Sequence, residues 1–480
     1  MKDIALVTIN AKWIHPSLAL RLLKANLGVL EEDCEIIEFA LRQPLAEKLE
    51  PFAAACASAA PPKILGFSVS IWNHLAAIEL LKELEKIFAA SACVKPVIVL
   101  GGPEVSHLPP EAEILKYADH VIRGEGEIAF RELCEKILGE EPLAKTPRCQ
   151  EEKGIKSAYH LYTDEDAAKK LIYIESSRGC LFNCEFCLSA AADNKPREFP
   201  LEQFLAQMNI LINRGVKTFK FLDRSINTNI PRLLRIIEFF LNKIEQSRSL
   251  IPHSTFLIPN SNIPHSFTIH FEMVPSIFPP ELIDALAKFP PGTLRLEIGI
   301  QTLNAEAAAI ISRHSNPEKE LKTLRLLREK TNAIIHADLI AGLPREDIES
   351  FGRGFDQLWD ALAPDDNEDG ARLRAEIQLG ILKLLPGAPV SRHNESFGMR
   401  FSALPPYEIE ETSSFSTDDI RRIKNFARFW EIIINRGLYV LKEKTIFDKF
   451  MIISDKLYAH FKRNWGIDKF ELFDYFSTNF

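Results

Sequence analysis

Ser177-Arg178-Gly179-Cys180-Leu181-Phe182-Asn183-Cys184-Glu185-Phe186-Cys187 brings three cysteines together on one short stretch, and no cysteine follows it downstream. Three soft thiolates on a tight loop can hold three corners of an iron–sulfur cluster and leave one iron without a protein ligand. An open iron can take a substrate or cofactor, which marks the loop as chemical rather than structural. Gly179 lets backbone approach closely, and the charge of Arg178 can favour thiolate over thiol. The competing metal is zinc, which wants four ligands and usually takes them as two separated pairs. Those pairs do not surround this loop, and neither His160 nor His253 has an immediate cysteine or histidine partner in the sequence.

Working outward, the loop directly follows an apolar run, Leu171–Ser176. From there strand and helix signals alternate as far as residue 400. The strand candidates are Leu171–Ser176, Lys217–Leu222, Thr268–Val274, Leu294–Ile300, Ile334–Ile340 and Ala375–Leu382. Helical patterns near 200–214, 231–246, 280–289, 304–330 and 346–362 separate most of them. Such a series predicts a partial (βα)6 barrel of the TIM type, with the cysteine loop at its reactive mouth. Ser247–Phe267, with three prolines and little periodicity, reads as an insertion or a long loop.

Upstream, apolar runs at Asp3–Asn10, Cys34–Ala40, Lys63–Ser70, Pro96–Gly102 and His120–Arg123 alternate with helical patterns at Pro16–Leu30, 74–90 and 127–138. That pattern predicts a doubly wound, mostly parallel, Rossmann-like α/β domain over 1–140. The charged, aperiodic residues 141–170 read as a linker, 171–400 as the barrel, and the Phe-, Arg-, Lys- and Ile-rich residues 401–480 as a small helical domain. Phe426, Phe429, Phe447 and Phe450 have the spacing of core residues.

The bulk numbers are those of a globular chain with large cores: 480 residues, 46% hydrophobic, 26% charged. A net charge of −8 argues against a broad nucleic-acid footprint and favours a small-molecule substrate. With no apolar run near the roughly 18 residues that span a bilayer, and no cleavable leader ahead of the first strand, a cytoplasmic, membrane-free protein is expected. Cys34, Cys56, Cys93, Cys134 and Cys149 are scattered and read as small buried hydrophobes.

Cys-x3-Cys-x2-Cys, with Phe186 before the last cysteine and a first barrel strand before the loop, resembles the radical S-adenosylmethionine (SAM) superfamily. The resemblance implies a four-iron four-sulfur cluster on Cys180, Cys184 and Cys187. Its fourth iron would be chelated by the amine and carboxylate of SAM. An external reductant such as flavodoxin or ferredoxin would supply the electron that cleaves SAM to methionine and a 5′-deoxyadenosyl radical. Carried over position by position, the second strand ends in Phe221-Leu222-Asp223-Arg224, without the family's glycines, and leaves Asp223 as a candidate for the methionine amine. Glu272 ends the third strand and is a candidate for the amine or ribose. Glu297 and Gln301 lie on and after the fourth, in the region of the family's ribose contacts. On the fifth, Asp338 stands where a glycine is common, while Ile340 and Gly342 resemble the adenine side.

In the N-terminal part the strand ends read Asn10-Ala11-Lys12-Trp13-Ile14-His15-Pro16, Ser68-Val69-Ser70-Ile71-Trp72-Asn73, Gly101-Gly102-Pro103-Glu104-Val105 and Arg123-Gly124-Glu125-Gly126-Glu127. Small residues cluster where a flat ligand needs room, and the missing Gly-x-Gly-x-x-Gly counts against a dinucleotide. Gly-Gly-Pro-Glu-Val-Ser-His-Leu-Pro followed by Val-Ile-Arg-Gly-Glu-Gly-Glu resembles the cobalamin-binding domain found ahead of many radical SAM barrels. The opening run, the stretch Ile-Gln-Leu-Gly-Ile-Leu-Lys-Leu-Leu-Pro-Gly and the helical tail resemble one uncharacterised subgroup. Asn10, Ser70, Gly101, Gly102, Glu104, Gly124 and Glu125 are then the candidate corrin contacts. Asp-x-His-x-x-Gly, the source of a histidine ligand to cobalt, is absent; His15 and His107 are the nearest candidates for that place, and as lone histidines on such loops they read rather as hydrogen-bonding groups. The implied function is cobalamin-dependent radical SAM chemistry, methyl transfer or another radical modification. Two alternatives stay open: a radical SAM enzyme whose N-terminal domain binds no cobalamin, and a non-catalytic iron–sulfur electron carrier or sensor.

Overall fold

The computed structural model describes the chain except residues 92, 140–153, 191–195, 250–266, 364–374, 438, 440–442, 444 and 480. Cys149, the first part of the expected linker and most of the expected insertion lie outside the described residues. The chain forms two units: Met1–Ile174 with Gln207–Lys217, and Glu175–Ala206 with Thr218–Phe480.

In the first unit β1 (Ile4–Asn10), β2 (Cys34–Ala40), β3 (Ile64–Ser68), β4 (Val97–Gly101) and β5 (His120–Val121) form one parallel sheet in the order β2-β1-β3-β4-β5. Every residue of β1 is buried, as expected of a strand covered on both faces. Its alternate side chains feed two cores. Ile4 and Leu6 join Leu20, Phe130 and Cys134; Ala5, Val7 and Ile9 join Phe52, Leu80 and Leu84.

The helix expected at Pro16–Leu30 is shorter, Leu18–Ala25, because the Ser17 side chain caps it by accepting from Leu20 N. A helix at Leu45–Ala57, which carries Pro51, was not anticipated. The second half of the expected linker is also structured on this unit. Arg21, almost fully buried, reaches Asp166 at 2.7 Å and Glu38 at 2.9 Å. The Asn26 side chain accepts from Lys156 N and donates to Lys156 O. A buried guanidinium needs such carboxylates, and that need fastens the segment.

The last strand of the first unit is β6 (Ile172–Ile174). In the second unit the strands continue as β7 (Ser177–Arg178), β8 (Arg197–Glu198), β9 (Thr218–Phe221), β10 (Thr268–Met273), β11 (Leu294–Gln301), β12 (Ile334–Ala341), β13 (Ala375–Ile381), β14 (Arg400–Phe401) and β15 (Ile409–Glu411). Within this unit the main sheet runs β13-β12-β11-β10-β9, with β9 to β13 paired parallel in sequence order. This is the expected partial barrel. In β11, Leu294, Leu296, Ile298 and Ile300 are buried outward while Arg295, Glu297, Gly299 and Gln301 face inward.

Two elements depart from the expected pattern. The single helix expected at 304–330 is two, Ala305–Ile310 and Pro317–Lys330. Asn304 and Asn316 cap them, and Pro317 sits in the first turn of the second. The C-terminal region, expected as a small helical domain, is mainly helical and also carries the antiparallel β14–β15 ladder. Beyond it Phe426, Phe429, Trp430, Phe447 and Phe450 are buried. Edge-on contacts such as Trp359–Trp430, centroids 5.2 Å apart at 89°, organise that core.

Candidate functional site

The cysteine loop and the C-terminal ends of β10, β11 and β12 enclose a cavity of about 250 Å³. Cys180, Cys184 and Cys187 line it together with Phe182 and Phe186. Arg224 comes from the end of β9, Glu272 to Ser276 from β10, Glu297, Gly299 and Gln301 from β11, and Asp338 from β12. Arg313 and His314 enter from the break between the two helices, and Glu320 from the helix after it.

Burial pushes the Cys184 thiol up, and the charge of Arg313, whose Nη1 is 3.9 Å from the sulfur, opposes that rise. Arg178, expected to play this part, is engaged instead by Glu175, with Nη2 2.7 Å from Oε1. The loop is fastened through the residue between two cysteines. Glu185 is buried; Ser312 Oγ and Arg392 donate to its Oε1, and His393 Nε2 lies 2.8 Å from its Oε2. Glu185 N donates to Ile311 O and its carbonyl accepts from Val390 N. The cluster loop is therefore clamped to two other segments of its unit.

The inward carboxylates differ sharply. Burial would raise Glu297, but His270 at 3.0 Å and Lys220 at 3.6 Å hold it down at about 2. Asp338 is pushed up to about 8, first by burial and then by the charges of Glu297 and Glu272. Its Oδ1 has no hydrogen-bond partner, and His336 Nε2 is 3.7 Å away. Burial also raises Glu272, against Arg224 at 3.5 Å. Glu320 is 1% exposed with Oε2 unpartnered. At neutral pH one carboxyl of the cavity is thus protonated and another ionised, a pairing that suits acid–base and orienting work.

Of the residues singled out from the sequence, Phe186, Glu272, Glu297, Gln301 and Asp338 share this cavity with the three cysteines. A bulge between Gly299 and Gln301, with Gln301 at φ 70°, sets that side chain at the rim. Asp223 does not join them. It is 1% exposed and accepts from Ser176 N, Ser176 Oγ and Ser177 Oγ, so its capacity is spent on fixing the backbone ahead of the cysteine loop. Gly342 does not line the cavity either. A Cβ there would lie 2.5 Å from Ile409 Cγ2, so the glycine serves close packing against β15. Glu185, Arg313, His314 and Glu320 were not foreseen.

In the first unit the candidate residues lie at the C-terminal ends of β1, β3, β4 and β5. The strand order changes direction between β1 and β3, the place where such sheets take ligands. Gly102, at φ 106°, is pressed so near Val69 that a Cβ would meet its carbonyl at 2.4 Å. Ser70 N donates to Asn73 Oδ1, Gly124 N donates to Ser106 Oγ, and Glu125 lies beside Gly124. Asn10 and Glu104 are committed inside the protein: the Asn10 amide donates to Glu38, and Glu104 Oε1 is 2.7 Å from His74 Nδ1, which removes both from direct ligand contact. Trp13 (49%) and Trp72 (52%) are exposed on the loops after β1 and β3, an apolar surface suited to a flat macrocycle. His15 Nδ1 is 2.7 Å from Tyr173 Oη, and His107 is exposed.

Among the described residues no three His, Cys, Asp or Glu side chains converge closely enough to hold a single metal ion. An iron–sulfur cluster asks for one thiolate per iron, and three thiols around one cavity fit that demand. Also among the described residues, no helix is long and apolar enough to cross a membrane.

Comparison with known proteins agrees with this division. Residues 174–357 match the radical SAM superfamily and residues 4–134 the B12 binding domain. Similar curated proteins include the ribosomal protein uS12 methylthiotransferase RimO of Nitratiruptor sp., 24% identical over 37% of this chain and 38% of that one. An uncharacterised methyltransferase of Pyrococcus horikoshii is 31% identical over 29% of this chain and 36% of that one. The matches thus span little more than a third of those relatives. Among solved structures, OxsB with aqua-cobalamin and SAM bound superposes with a TM-score of 0.61 at 16% identity, over 98% of this chain and 74% of that one. TsrM from Kitasatospora setae, with cobalamin and a [4Fe-4S] cluster, gives 0.57 at 16% identity, over 84% and 78%. At that identity the likeness concerns the fold.

Proposed function

We propose that this chain, which belongs to the radical SAM superfamily and carries a B12-binding domain ahead of its radical SAM domain, is a cytoplasmic enzyme that cleaves SAM reductively and uses cobalamin to methylate a small molecule. The observation that carries the reading is the convergence of three cluster-type thiols with Glu272, Glu297, Gln301 and Asp338 on one cavity. When bound, the cluster supplies the electron for SAM cleavage and the corrin supplies a cobalt that carries methyl groups.

Cys180, Cys184 and Cys187 hold the cluster. Phe182 and Phe186 wall the cavity and limit water. Ionised Glu297 and the rim amide of Gln301 orient the polar edge of SAM. Asp338, protonated at neutral pH, offers its unpartnered carboxyl edge to a polar ligand group. In the first unit Ser70, Gly101, Gly102, Gly124 and Glu125, with Trp13 and Trp72, make the corrin seat. Because Asp-x-His-x-x-Gly is absent, these residues would hold the corrin without that motif's histidine. A ferredoxin or flavodoxin delivers the electron from outside, and the charge of −8 favours a small substrate over RNA.

The test is anaerobic reconstitution with iron, sulfide and cobalamin, then SAM and a reductant. The reading expects 5′-deoxyadenosine or S-adenosylhomocysteine, and cobalamin that stays with the protein through gel filtration. Loaded protein that yields neither product refutes the enzyme. Product without retained cobalamin refutes the corrin part alone.

A further inference from the structure

The first unit carries a thiol pair that the proposed chemistry does not use. Cys56 lies in the last turn of the helix Leu45–Ala57, and Cys93 lies between the helix His74–Ala90 and β4. Their sulfurs are 3.0 Å apart across 37 residues. A disulfide bond is about 2.05 Å long, so the sulfurs need to close by only about 1 Å.

The two thiols are unequal in the way a redox pair requires. Cys93 is partly exposed, and the Ser91 hydroxyl is 2.8 Å from its sulfur. Hydrogen bonds from Cys56 and then Ser91 draw the Cys93 thiol below its ordinary value. Cys56 is buried, and burial pushes its thiol up. An accessible thiol with enhanced thiolate character, backed by a buried resolving thiol, is the arrangement of reversible thiol oxidation. Cys34 and Cys134 make the contrast: both are buried, and burial pushes each up to about 12, as in inert core thiols.

We propose that Cys56 and Cys93 form a reversible disulfide, with small-molecule disulfides such as glutathione disulfide as the oxidant class. The Cys93 thiolate attacks one sulfur of that disulfide, whose S–S bond breaks and releases one thiol. Cys56 loses its proton to solvent and attacks the Cys93 sulfur. The protein S–S bond forms and the second small thiol leaves with a proton. Two protein thiols lose two electrons, and one small disulfide becomes two thiols. The bridge ties the end of one helix to the approach to β4, on the N-terminal side of the strands and so at the end of the sheet opposite the strand ends proposed to seat the corrin.

The full chain, with its cluster built anaerobically, is incubated over a range of reduced-to-oxidised glutathione ratios. It is then quenched with iodoacetamide, digested without reductant and mass-analysed. The expected result is a peptide pair joining Cys56 to Cys93 that disappears with dithiothreitol and is absent from Cys93→Ser. In Cys56→Ser, Cys93 retains a glutathione adduct. Cys56→Ala, placed in an alanine-rich turn, serves the same purpose if serine at this buried position prevents folding. Oxidised wild type melts at a higher temperature than reduced, and Cys93→Ser loses that difference. Both cysteines alkylated at every ratio, or a stable glutathione adduct on Cys93 of the wild type without the crosslink, overturns the proposal.

Discussion

Glu185 sits between two cluster cysteines, and its replacement by alanine is the perturbation whose effect on the loop follows most directly from the structure. The carboxylate side chain is 4% exposed. Ser312 and His393, the latter 14% exposed, each contribute a charge-assisted contact worth about 1.5–3 kcal/mol at such a site. Arg392 is 63% exposed, and solvent screens its pair to about 0–1 kcal/mol. Together these come to about 3–7 kcal/mol, and Glu185→Ala is expected in the lower part of that range, about 3–5 kcal/mol, as for breaking a buried ion pair. Glu185→Gln keeps one acceptor oxygen, for Ser312, but turns a donor NH2 toward His393, and should cost about 1–3 kcal/mol, and Arg392→Ala less than about 1 kcal/mol. The assay is anaerobic thermal unfolding, combined with iron per chain and the electron paramagnetic resonance spectrum of the reduced cluster. The expected order of damage is Glu185→Ala, then Glu185→Gln, then Arg392→Ala, with iron content falling in step. A Glu185→Ala protein that unfolds within about 0.5 kcal/mol of wild type and holds as much iron would refute the clamp.

Other outcomes can be checked on the same material. Asp338 titrates near 3.8 when unfolded but is raised to about 8 when folded, so the folded chain binds the extra proton between those values and loses stability as pH rises through them. Asp338→Asn should gain on wild type at pH 8 by at most about 5 kcal/mol and by nothing near pH 4, as read from urea midpoints at the two pH values. A gain equal at both would exclude the ionisation as its cause. Gly102→Ala, with a left-handed φ and a Cβ only 2.4 Å from Val69 O, should destabilise the first unit by about 2–4 kcal/mol and weaken cobalamin retention. Unchanged melting would contradict the close approach. Arg313→Ala removes the cation beside Cys184 and should lower the cluster's reduction potential in an anaerobic redox titration; an unchanged potential would show that this guanidinium does not act on the sulfurs.

Legibility followed how local each cause was. The strands β9 to β13 lie within a residue or two of where alternation placed them, because inward and outward side chains differ in polarity: Arg295, Glu297 and Gln301 against Leu294, Leu296 and Ile298. The cysteine loop was legible because ligand spacing is a covalent property of the sequence. Arg313 and His314 were missed because 304–330 was read as one helix, although Asn316-Pro317 is a cap-and-start signal that marks the break from which both residues reach the cavity. Glu185 and its partners could not be paired in advance, since Ser312, Arg392 and His393 are over a hundred residues away. Asp223 misled for the same reason. A carboxylate at a strand end looks available for a ligand until Ser176 and Ser177, 47 and 46 residues upstream, are seen to consume it.

The central claim is that the trio of thiols leaves one iron open for SAM. Mössbauer and electron paramagnetic resonance spectra of the anaerobically reconstituted chain, with and without SAM, test it most directly. A four-iron cluster whose spectrum shifts on adding SAM, and which Cys184→Ala cannot assemble, is the predicted result. Zinc at the site, or a cluster already complete in protein ligands and indifferent to SAM, would contradict it.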